Sequence, residues 1–258
     1  MATAALTTAK KERWNALDAL RGLILLSMLF YHAGYDLVAL FGVSAGWFFA
    51  WPGFLWQQSI CWGFILLSGM SCRLSHSNAR RGLLTLGCGL LVELATRLFL
   101  PQQIIRFGIL HFLGCAALLW ALAAPLLDRL PAPALLAGSL ALFLLTYALP
   151  WGGLGLGPLR LVTLPSGLYA SPWLFWLGLP APDFYSADYF PLLPWLFLFV
   201  AGAALCRLLA AWPPFARAAR TRVPMLSALG RHTLLVYLMH QPLIYGLLWG
   251  TARLTDLL

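Results

Sequence analysis

The chain has 258 residues, of which 61% are hydrophobic and only 10% are charged. Soluble domains carry about 25% charged residues, so this composition excludes a soluble globular protein. Seventeen Lys and Arg against eight Asp and Glu give a net charge of +9, and the basic residues lie between long apolar runs. The charge therefore indicates membrane topology rather than binding to nucleic acid.

Apolar runs long enough to cross a bilayer as helices, about 20 residues each, occur along the whole chain. Helices are the expected element because each one satisfies its own backbone hydrogen bonds. The predicted spans cover residues 17–41, 54–74, 82–100, 107–127, 133–151, 189–212 and 225–249. We therefore predict an all-α, polytopic transmembrane helix bundle of about seven spans, formed by residues 1–258 as one domain.

The basic residues fall mainly on one side of this arrangement. If residues 1–15 form a cytoplasmic tail, the cytoplasmic side holds Lys10, Lys11, Arg13, Arg73, Arg80, Arg81, Arg129, Arg217, Arg220 and Arg222. The opposite side holds little beyond Arg106, Arg160 and Arg253. The positive-inside rule thus predicts a cytoplasmic N-terminus, and a bacterial inner membrane is the expected location.

Residues 152–188 form a long segment that is expected on the outer side. Within it, residues 171–179 (SPWLFWLGL) are apolar but too short to span, and they predict a short re-entrant or interfacial helix. The GGLGLG run at residues 152–157 lacks the flanking strand, helix and lysine of a phosphate loop. We interpret that run as a flexible connector.

The five cysteines lie mostly inside apolar segments. They form no CxxC pair and no Cys/His spacing typical of zinc. We predict free thiols and no metal site.

The first predicted span contains four ionisable residues, Asp18, Arg21, His32 and Asp36. Such residues are costly inside a bilayer and usually mark functional sites. At roughly 100° per residue, His32 returns to within about 20° of the direction of Arg21, and the two aspartates fall within about 60° of it. The four side chains are therefore predicted to share one stripe of the helix.

The stripe places His32 about 16 Å along the helix from Arg21, near the middle of the membrane. His32 and Asp36 are four residues apart, so the carboxylate could fix one imidazole tautomer while the other nitrogen acts on a substrate. This is the pattern of a general base with an orienting acid. Asp18 and Arg21 have a plainer interpretation as an ion pair that closes the helix start.

Polar side chains in other predicted spans are candidates for binding an acceptor substrate. His240 lies toward the outer end of the last span, and His111 follows the start of the fourth. Gln57 and Gln58 begin the second span near the outer face, where they could bond a hydroxylated substrate or interfacial water. For His240, a role in helix packing is equally open.

Four segments carry a family resemblance: WNALDALRGLILLSMLFYHAGYDL (14–37), RFGILHFLG (106–114), YFPLLPWLFLFVAG (189–202) and LGRHTLLVYLMHQPLIY (229–245). In this order they resemble the catalytic-domain family of heparan-alpha-glucosaminide N-acetyltransferase. The spacing of Arg21 and His32 is also similar to the R-x10-H motif of integral-membrane O-acyltransferases that modify bacterial surface polysaccharides. The resemblance covers nearly the whole chain.

The resemblance implies an acyltransferase that moves an acyl group, expected to be acetyl, from acyl-CoA to an amine or hydroxyl of a sugar or glycan. His32, oriented by Asp36, would be the general base or a covalent acyl carrier. Arg21 and Asp18 would contact the acetyl-CoA donor on its way from the cytoplasm. The lysosomal relatives place their active histidine in the loop after the first span, whereas residues 43–59 contain none, so the assignment falls to His32.

A small proton-coupled transporter or flippase is the alternative function, since an intramembrane stripe of Asp, His and Arg also suits a proton pathway. The spans show no paired half-helices or inverted repeat of the kind that transporters have. A structural membrane subunit would leave the ionisable stripe without a purpose. The sequence leaves open the identity of the acceptor and the choice between a monomer and a homodimer.

Overall fold

The computed structural model describes residues 14–156, 159–221 and 223–254. The helices in these ranges are α1 Asn15–Tyr35, α2 Trp51–Leu74, α3 Asn78–Phe99, α4 Ile109–Leu127, α5 Ala132–Thr146, α6 Leu192–Ala210, α7 Pro213–Ala218, α8 Pro224–Arg231 and α9 Thr233–Leu254. An antiparallel hairpin pairs β1 Gly153–Leu156 with β2 Leu159–Thr163. The helix bundle is as predicted. Lys10, Lys11, Arg13 and Arg222 lie outside the described residues.

Within the described residues, five helical stretches are long and apolar enough to cross a bilayer, which indicates a membrane protein. They are Asn15–Leu40, Asn78–Phe99, Ile109–Leu127, Ala132–Trp151 and Leu192–Ala210. With 24 and 22 residues, α2 and α9 are long enough, but they are not among these five. Polar side chains such as Gln57, Gln58 and Gln241 lower their hydropathy. Length and hydropathy therefore support five of the seven predicted spans.

The prediction of a single last span over residues 225–249 is wrong. α8 ends at Arg231, and His232 leaves helical geometry with φ −100° and ψ 19° before α9 begins at Thr233. With eight residues, α8 is too short to cross a membrane. The break falls at Arg231, His232 and Thr233, polar residues that interrupt the apolar run.

Glycines bring pairs of helices together at backbone distance. A Cβ atom added at Gly22 of α1 would overlap a backbone oxygen of α8, and one added at Gly230 of α8 would overlap a backbone oxygen of α1. Gly69 of α2 and Gly202 of α6 stand in the same reciprocal relation. Small residues at such crossings let the helices pack closely, as is usual in membrane bundles. α1 is thereby fixed against α8, and α2 against α6.

The main apolar core contains buried side chains from α2, α4, α5 and α6, among them Ile65, Phe112, Phe143 and Phe199. A smaller cluster joins α1 to α2. The cysteines are free thiols, as predicted, and Cys72 is buried in the main core. This packing holds the first two helices rigidly beside the C-terminal ones, which positions the polar residues described below.

The described part of the segment 152–188 contains more regular structure than the sequence suggested. Within the GGLGLG run, Gly153–Leu156 form β1, so these four residues are a strand and not a flexible connector. Two short 3₁₀ turns follow, Ser166–Tyr169 and Phe175–Leu177. The latter is the helical part of residues 171–179, where the sequence predicted a short re-entrant or interfacial helix.

Asp188, which lies between β2 and α6, caps a distant helix. Its Oδ2 atom accepts a hydrogen bond of 2.9 Å from the backbone N–H of Ile109, the first residue of α4. Burial raises the pKa of the Asp188 carboxyl to about 6, although the bond from Ile109 acts to lower it. Folding therefore favours the protonated carboxyl.

We expect the variant Asp188→Asn to remove a pH dependence of stability. The folded-state pKa of about 6 lies above the ordinary 3.8, so the stabilisation from Asp188 is complete below pH 3.8 and is lost as the pH rises through 6. Asparagine stays neutral and keeps an acceptor for Ile109. Between pH 3.8 and 6, the thermal unfolding midpoint of the wild type in detergent should fall with rising pH relative to that of Asp188→Asn. Asp183→Asn changes an exposed position and should show the same pH dependence as the wild type. If the midpoint of Asp188→Asn also changes with pH as the wild-type midpoint does, the assignment to Asp188 is wrong.

Candidate active site

Arg21 is the centre of a polar network at the end of the bundle where α1 begins. Its guanidinium donates to Asp18 Oδ1 at 2.9 Å and to the carbonyl of Gly230 at 3.5 Å. It also donates to the Ser71 hydroxyl, which in turn donates to the carbonyl of Leu67. The predicted ion pair of Asp18 and Arg21 is confirmed, and Arg21 additionally ties α1 to α2 and α8.

A cavity of about 590 Å³ adjoins this network. Its lining combines basic side chains with a series of serine and threonine hydroxyls, namely Arg21, His76, Arg81, Arg231, Ser68, Ser71, Ser75, Thr85 and Thr233. The three serines are spaced three and four residues apart, so one face of α2 is polar toward the cavity. The volume lies within the range of small-molecule sites in proteins. The cavity can therefore take a sizeable anionic ligand.

The cavity extends deep into the bundle along α2. Its lining reaches from Ser75, just beyond the end of α2, to Phe64, a separation of about 16 Å on a helix. The deep end is mostly apolar and includes Leu110 and Tyr237. A long ligand could therefore keep its charged end near the basic residues while its far end reaches α9.

His32 and His240 form a pair beyond this deep end. Their ring centroids are 4.6 Å apart, with 64° between the ring planes. Nδ1 of His240 is 2.5 Å from the carbonyl oxygen of Tyr237, a residue that lines the cavity. A carbonyl only accepts, so Nδ1 carries the proton and Nε2 of the neutral ring is an acceptor. The histidine pair thus lies about one helical turn from the cavity.

Asp36 does not take the position that the sequence suggested. It opens a π-helical segment, Asp36–Leu40, which continues α1, and such segments are frequent at functional sites. Its Oδ1 atom accepts a hydrogen bond of 2.8 Å from Nε2 of Gln241. Within residues 14–156, 159–221 and 223–254, no hydrogen bond or ion pair joins Asp36 to His32. The carboxylate links α1 to α9 instead.

Three buried acceptor atoms around the histidine pair have no hydrogen-bond partner within the described part of the chain. They are Oδ2 of Asp36, Nε2 of His240 and Oε1 of Gln241. The NH₂ group of Gln241 is the one that donates to Asp36, so Oε1 lies on the other side of the amide. Buried polar groups without partners are rare in folded proteins. Such a cluster indicates a place for a ligand or water.

The other residues predicted to contact the acceptor, His111, Gln57 and Gln58, have different neighbours in the structure. His111 is buried between α3 and α4, with Nε2 3.3 Å from Oε2 of Glu93. Oε1 of Gln58 accepts from an indole N–H at 2.9 Å and a phenol O–H at 3.1 Å, and Gln57 is exposed. The described structure does not bring these three residues together with His32.

Several residues of the site were not identified from the sequence. Gln241 directly follows His240, and two adjacent polar residues in an apolar span are a signal that could have marked it. The helical spacing of the serines on α2 could have marked Ser71 in the same way. His76 lies in the link between α2 and α3, and Arg231 is the last residue of α8. At both positions membrane topology is a sufficient explanation for the charge.

The bundle consists of apolar helices, and its basic, hydroxyl-lined cavity leads toward the imidazoles of His32 and His240. These features define a membrane protein with an enzyme-like site. The family model for heparan-alpha-glucosaminide N-acetyltransferase, catalytic, matches residues 13–242. The chain therefore belongs to this family, as its motifs indicated, and the family supports transferase activity. No curated protein matches the chain, and neither does any solved structure.

Proposed function

We propose that the chain transfers an acetyl group from acetyl-CoA to an amine or hydroxyl of a sugar or glycan. The observation that carries the proposal is the cavity, because it connects a cluster of basic side chains to the region of the paired imidazoles of His32 and His240. Membership of an acetyltransferase family supports the same reaction. The proposal assigns the donor to the cavity and the acceptor to the histidine pair.

The residues of the cavity suit the donor. Acetyl-CoA carries phosphate groups on a long arm, and arginine binds phosphate with paired, charge-assisted hydrogen bonds. Arg21, Arg81 and Arg231 line the cavity together with His76. Serine and threonine hydroxyls along the polar face of α2 could bond the amides of the arm. The thioester would then lie at the deep end, near Tyr237.

His32 is the proposed general base. It takes a proton from the acceptor nitrogen or oxygen while that atom forms a bond to the thioester carbonyl carbon. The carbon–sulfur bond then breaks, and the thiolate of coenzyme A takes the proton back from the imidazolium. In the alternative route His32 first carries the acetyl group as an acyl-imidazole. In either route Asp36 acts through Gln241 and α9 rather than by a direct bond to His32.

We also propose an inner-membrane location with a cytoplasmic N-terminus. The start of α1 contacts the segment around α7, where Ala16 N–H bonds Ala219 O at 2.9 Å and Asn15 bonds Arg220 O at 3.1 Å. Basic residues such as Arg217 lie in this segment, in keeping with the positive-inside rule. The donor cavity would then open toward cytoplasmic acetyl-CoA.

Purified protein in detergent, given radiolabelled acetyl-CoA and a panel of amino sugars and neutral sugars, tests the reaction directly. Transfer of label to an acceptor, with release of free coenzyme A, is the expected result. Absence of transfer to every sugar, together with proton-gradient-dependent uptake of a solute by proteoliposomes, would overturn the proposal and favour a transporter.

Arg21→Gln is expected to weaken binding of the donor more than it slows the chemistry. The variant removes a charge from the cavity wall, and hydrogen bonds to charged groups contribute about 1.5–3 kcal/mol. The KM for acetyl-CoA should rise about 10-fold or more, with a smaller effect on kcat. Arg129→Gln, at an exposed position outside the cavity, is the matched control. An unchanged KM in Arg21→Gln would remove Arg21 from the donor site.

A further inference from the structure

We propose that the hydroxyl of Tyr237 donates a hydrogen bond to the thioester carbonyl of the bound donor and stabilises the oxyanion that forms during transfer. Tyr237 would then be a second catalytic residue beside His32. The inference rests on the proposed acetyl transfer and deepens it, because it names the group that meets the developing negative charge. It starts from the position of Tyr237 at the deep end of the donor cavity.

The Tyr237 hydroxyl is a polar group at a cavity end that is mostly apolar. The neighbouring lining residues are Phe64, Ile109 and Leu110. Within the described part of the chain this hydroxyl forms no hydrogen bond, and its oxygen is not among the unpartnered polar atoms that are fully enclosed. The oxygen therefore keeps accessible surface, which the cavity provides. A phenol keeps its proton at neutral pH, so the group is available as a donor.

The neighbours of the phenol indicate where its hydroxyl lies. The phenol interacts electrostatically with Asp188 and with Cys61 of α2. Oδ2 of Asp188 accepts the hydrogen bond from Ile109, the first residue of α4. The hydroxyl thus lies toward the region between α2 and the start of α4. An ionised Asp188 would oppose an oxyanion nearby, but the positive N-terminal end of α4, which it caps, offsets that charge.

Tyr237 also joins the donor cavity to the histidine pair. Its carbonyl oxygen is 2.5 Å from Nδ1 of His240, and the centroids of the two rings are 5.2 Å apart. The ring of His240 is in turn 4.6 Å from the ring of His32. A thioester carbonyl that is bonded to the Tyr237 hydroxyl is therefore close to the acceptor atom that His32 deprotonates.

The hydroxyl acts where negative charge develops. When the acceptor atom bonds to the carbonyl carbon, the electron pair of the C=O double bond moves to the oxygen, and the hydrogen bond from Tyr237 becomes charge-assisted. When the double bond re-forms, the carbon–sulfur bond breaks and the thiolate takes the proton of the His32 imidazolium. Tyr237 keeps its own proton throughout. Because the bond is stronger to the oxyanion than to the ground-state carbonyl, it raises kcat.

The variant Tyr237→Phe removes the hydroxyl and keeps the ring that packs against two apolar clusters. We expect kcat to fall about 10²-fold, a loss typical of removing one such donor, with little change in the KM for acetyl-CoA. The thermal unfolding midpoint should stay at the wild-type value. Tyr245→Phe, at an exposed position of the same helix, is the matched control and should keep wild-type kcat. Wild-type kcat in Tyr237→Phe would overturn the proposal.

Infrared difference spectra of bound acetyl-CoA, isotopically labelled at the carbonyl carbon, test the contact without turnover. A hydrogen bond weakens the C=O bond, so the band should lie at lower frequency in the wild type and in Tyr245→Phe than in Tyr237→Phe. A merely structural role of the phenol would not move it. If Tyr237→Phe does not fold, a fluorinated tyrosine incorporated at position 237 is a stronger donor and should lower the frequency further. An unchanged band in the folded protein so altered would overturn the proposal.

The proposed function and the role of Tyr237 fail in different ways. A band that shifts in Tyr237→Phe, without transfer to any sugar by the wild type, would overturn acetyl transfer and leave the contact of Tyr237 with the donor in place. Transfer that proceeds with the same band and the same kcat in Tyr237→Phe would overturn the role of Tyr237 alone.

Discussion

His32→Ala should lower the rate of acetyl transfer by about 10²- to 10⁴-fold, the contribution typical of a general base. The larger end of this range is expected if His32 also carries the acetyl group, because the covalent route then disappears altogether. The effect should appear in kcat, since the donor cavity does not include His32. Initial rates of label transfer from acetyl-CoA to an amino sugar measure it.

The matched control is His232→Ala, which removes an imidazole at the exposed junction of α8 and α9. It should retain wild-type turnover. Thermal unfolding of both variants separates a catalytic loss from a folding defect. A folded His32→Ala protein with normal turnover would eliminate the histidine pair as the reaction centre and leave the cavity without its proposed chemistry.

Gly230→Ala should destabilise the bundle and disturb the donor site together. A methyl group at this position would overlap the backbone oxygen of Asp18, which no side-chain rotation can relieve, so α8 must move away from α1. Overpacking of this kind costs about 1–3 kcal/mol and occasionally more. The carbonyl of Gly230 also accepts from Arg21, so the movement should raise the KM for acetyl-CoA. Thermal unfolding and kinetics measure the two effects.

Gly138→Ala provides the comparison, because a Cβ atom at this position in α5 meets no atom within 4 Å. Alanine exceeds glycine in helix propensity by about 1 kcal/mol, so this variant should be neutral or slightly more stable. Equal stability of Gly230→Ala and Gly138→Ala would show that α1 and α8 are not held at backbone contact.

The arrangement of the candidate site shows where sequence reasoning reached its limit. Helical periodicity correctly placed Arg21 and His32 on a side of α1 that faces the C-terminal helices, since Arg21 contacts Gly230 and His32 contacts His240. The same periodicity suggested a bond from Asp36 to His32, but the carboxylate bonds Gln241, 205 residues away in the chain. Spacing along one helix does not show whether a side chain will bond a residue four positions away or a residue on another helix.

The sequence by itself determined the helical membrane architecture, the polar stripe of the first helix and the family, because each depends on apolar length, local period or ordered motifs. The tertiary structure decided the break at His232, the cavity shared by α1, α2, α3, α4, α8 and α9, and the partners of Asp36. The physical reason is that uniformly apolar helices carry little information about which faces meet. Glycine contacts and single hydrogen bonds between distant residues select the packing.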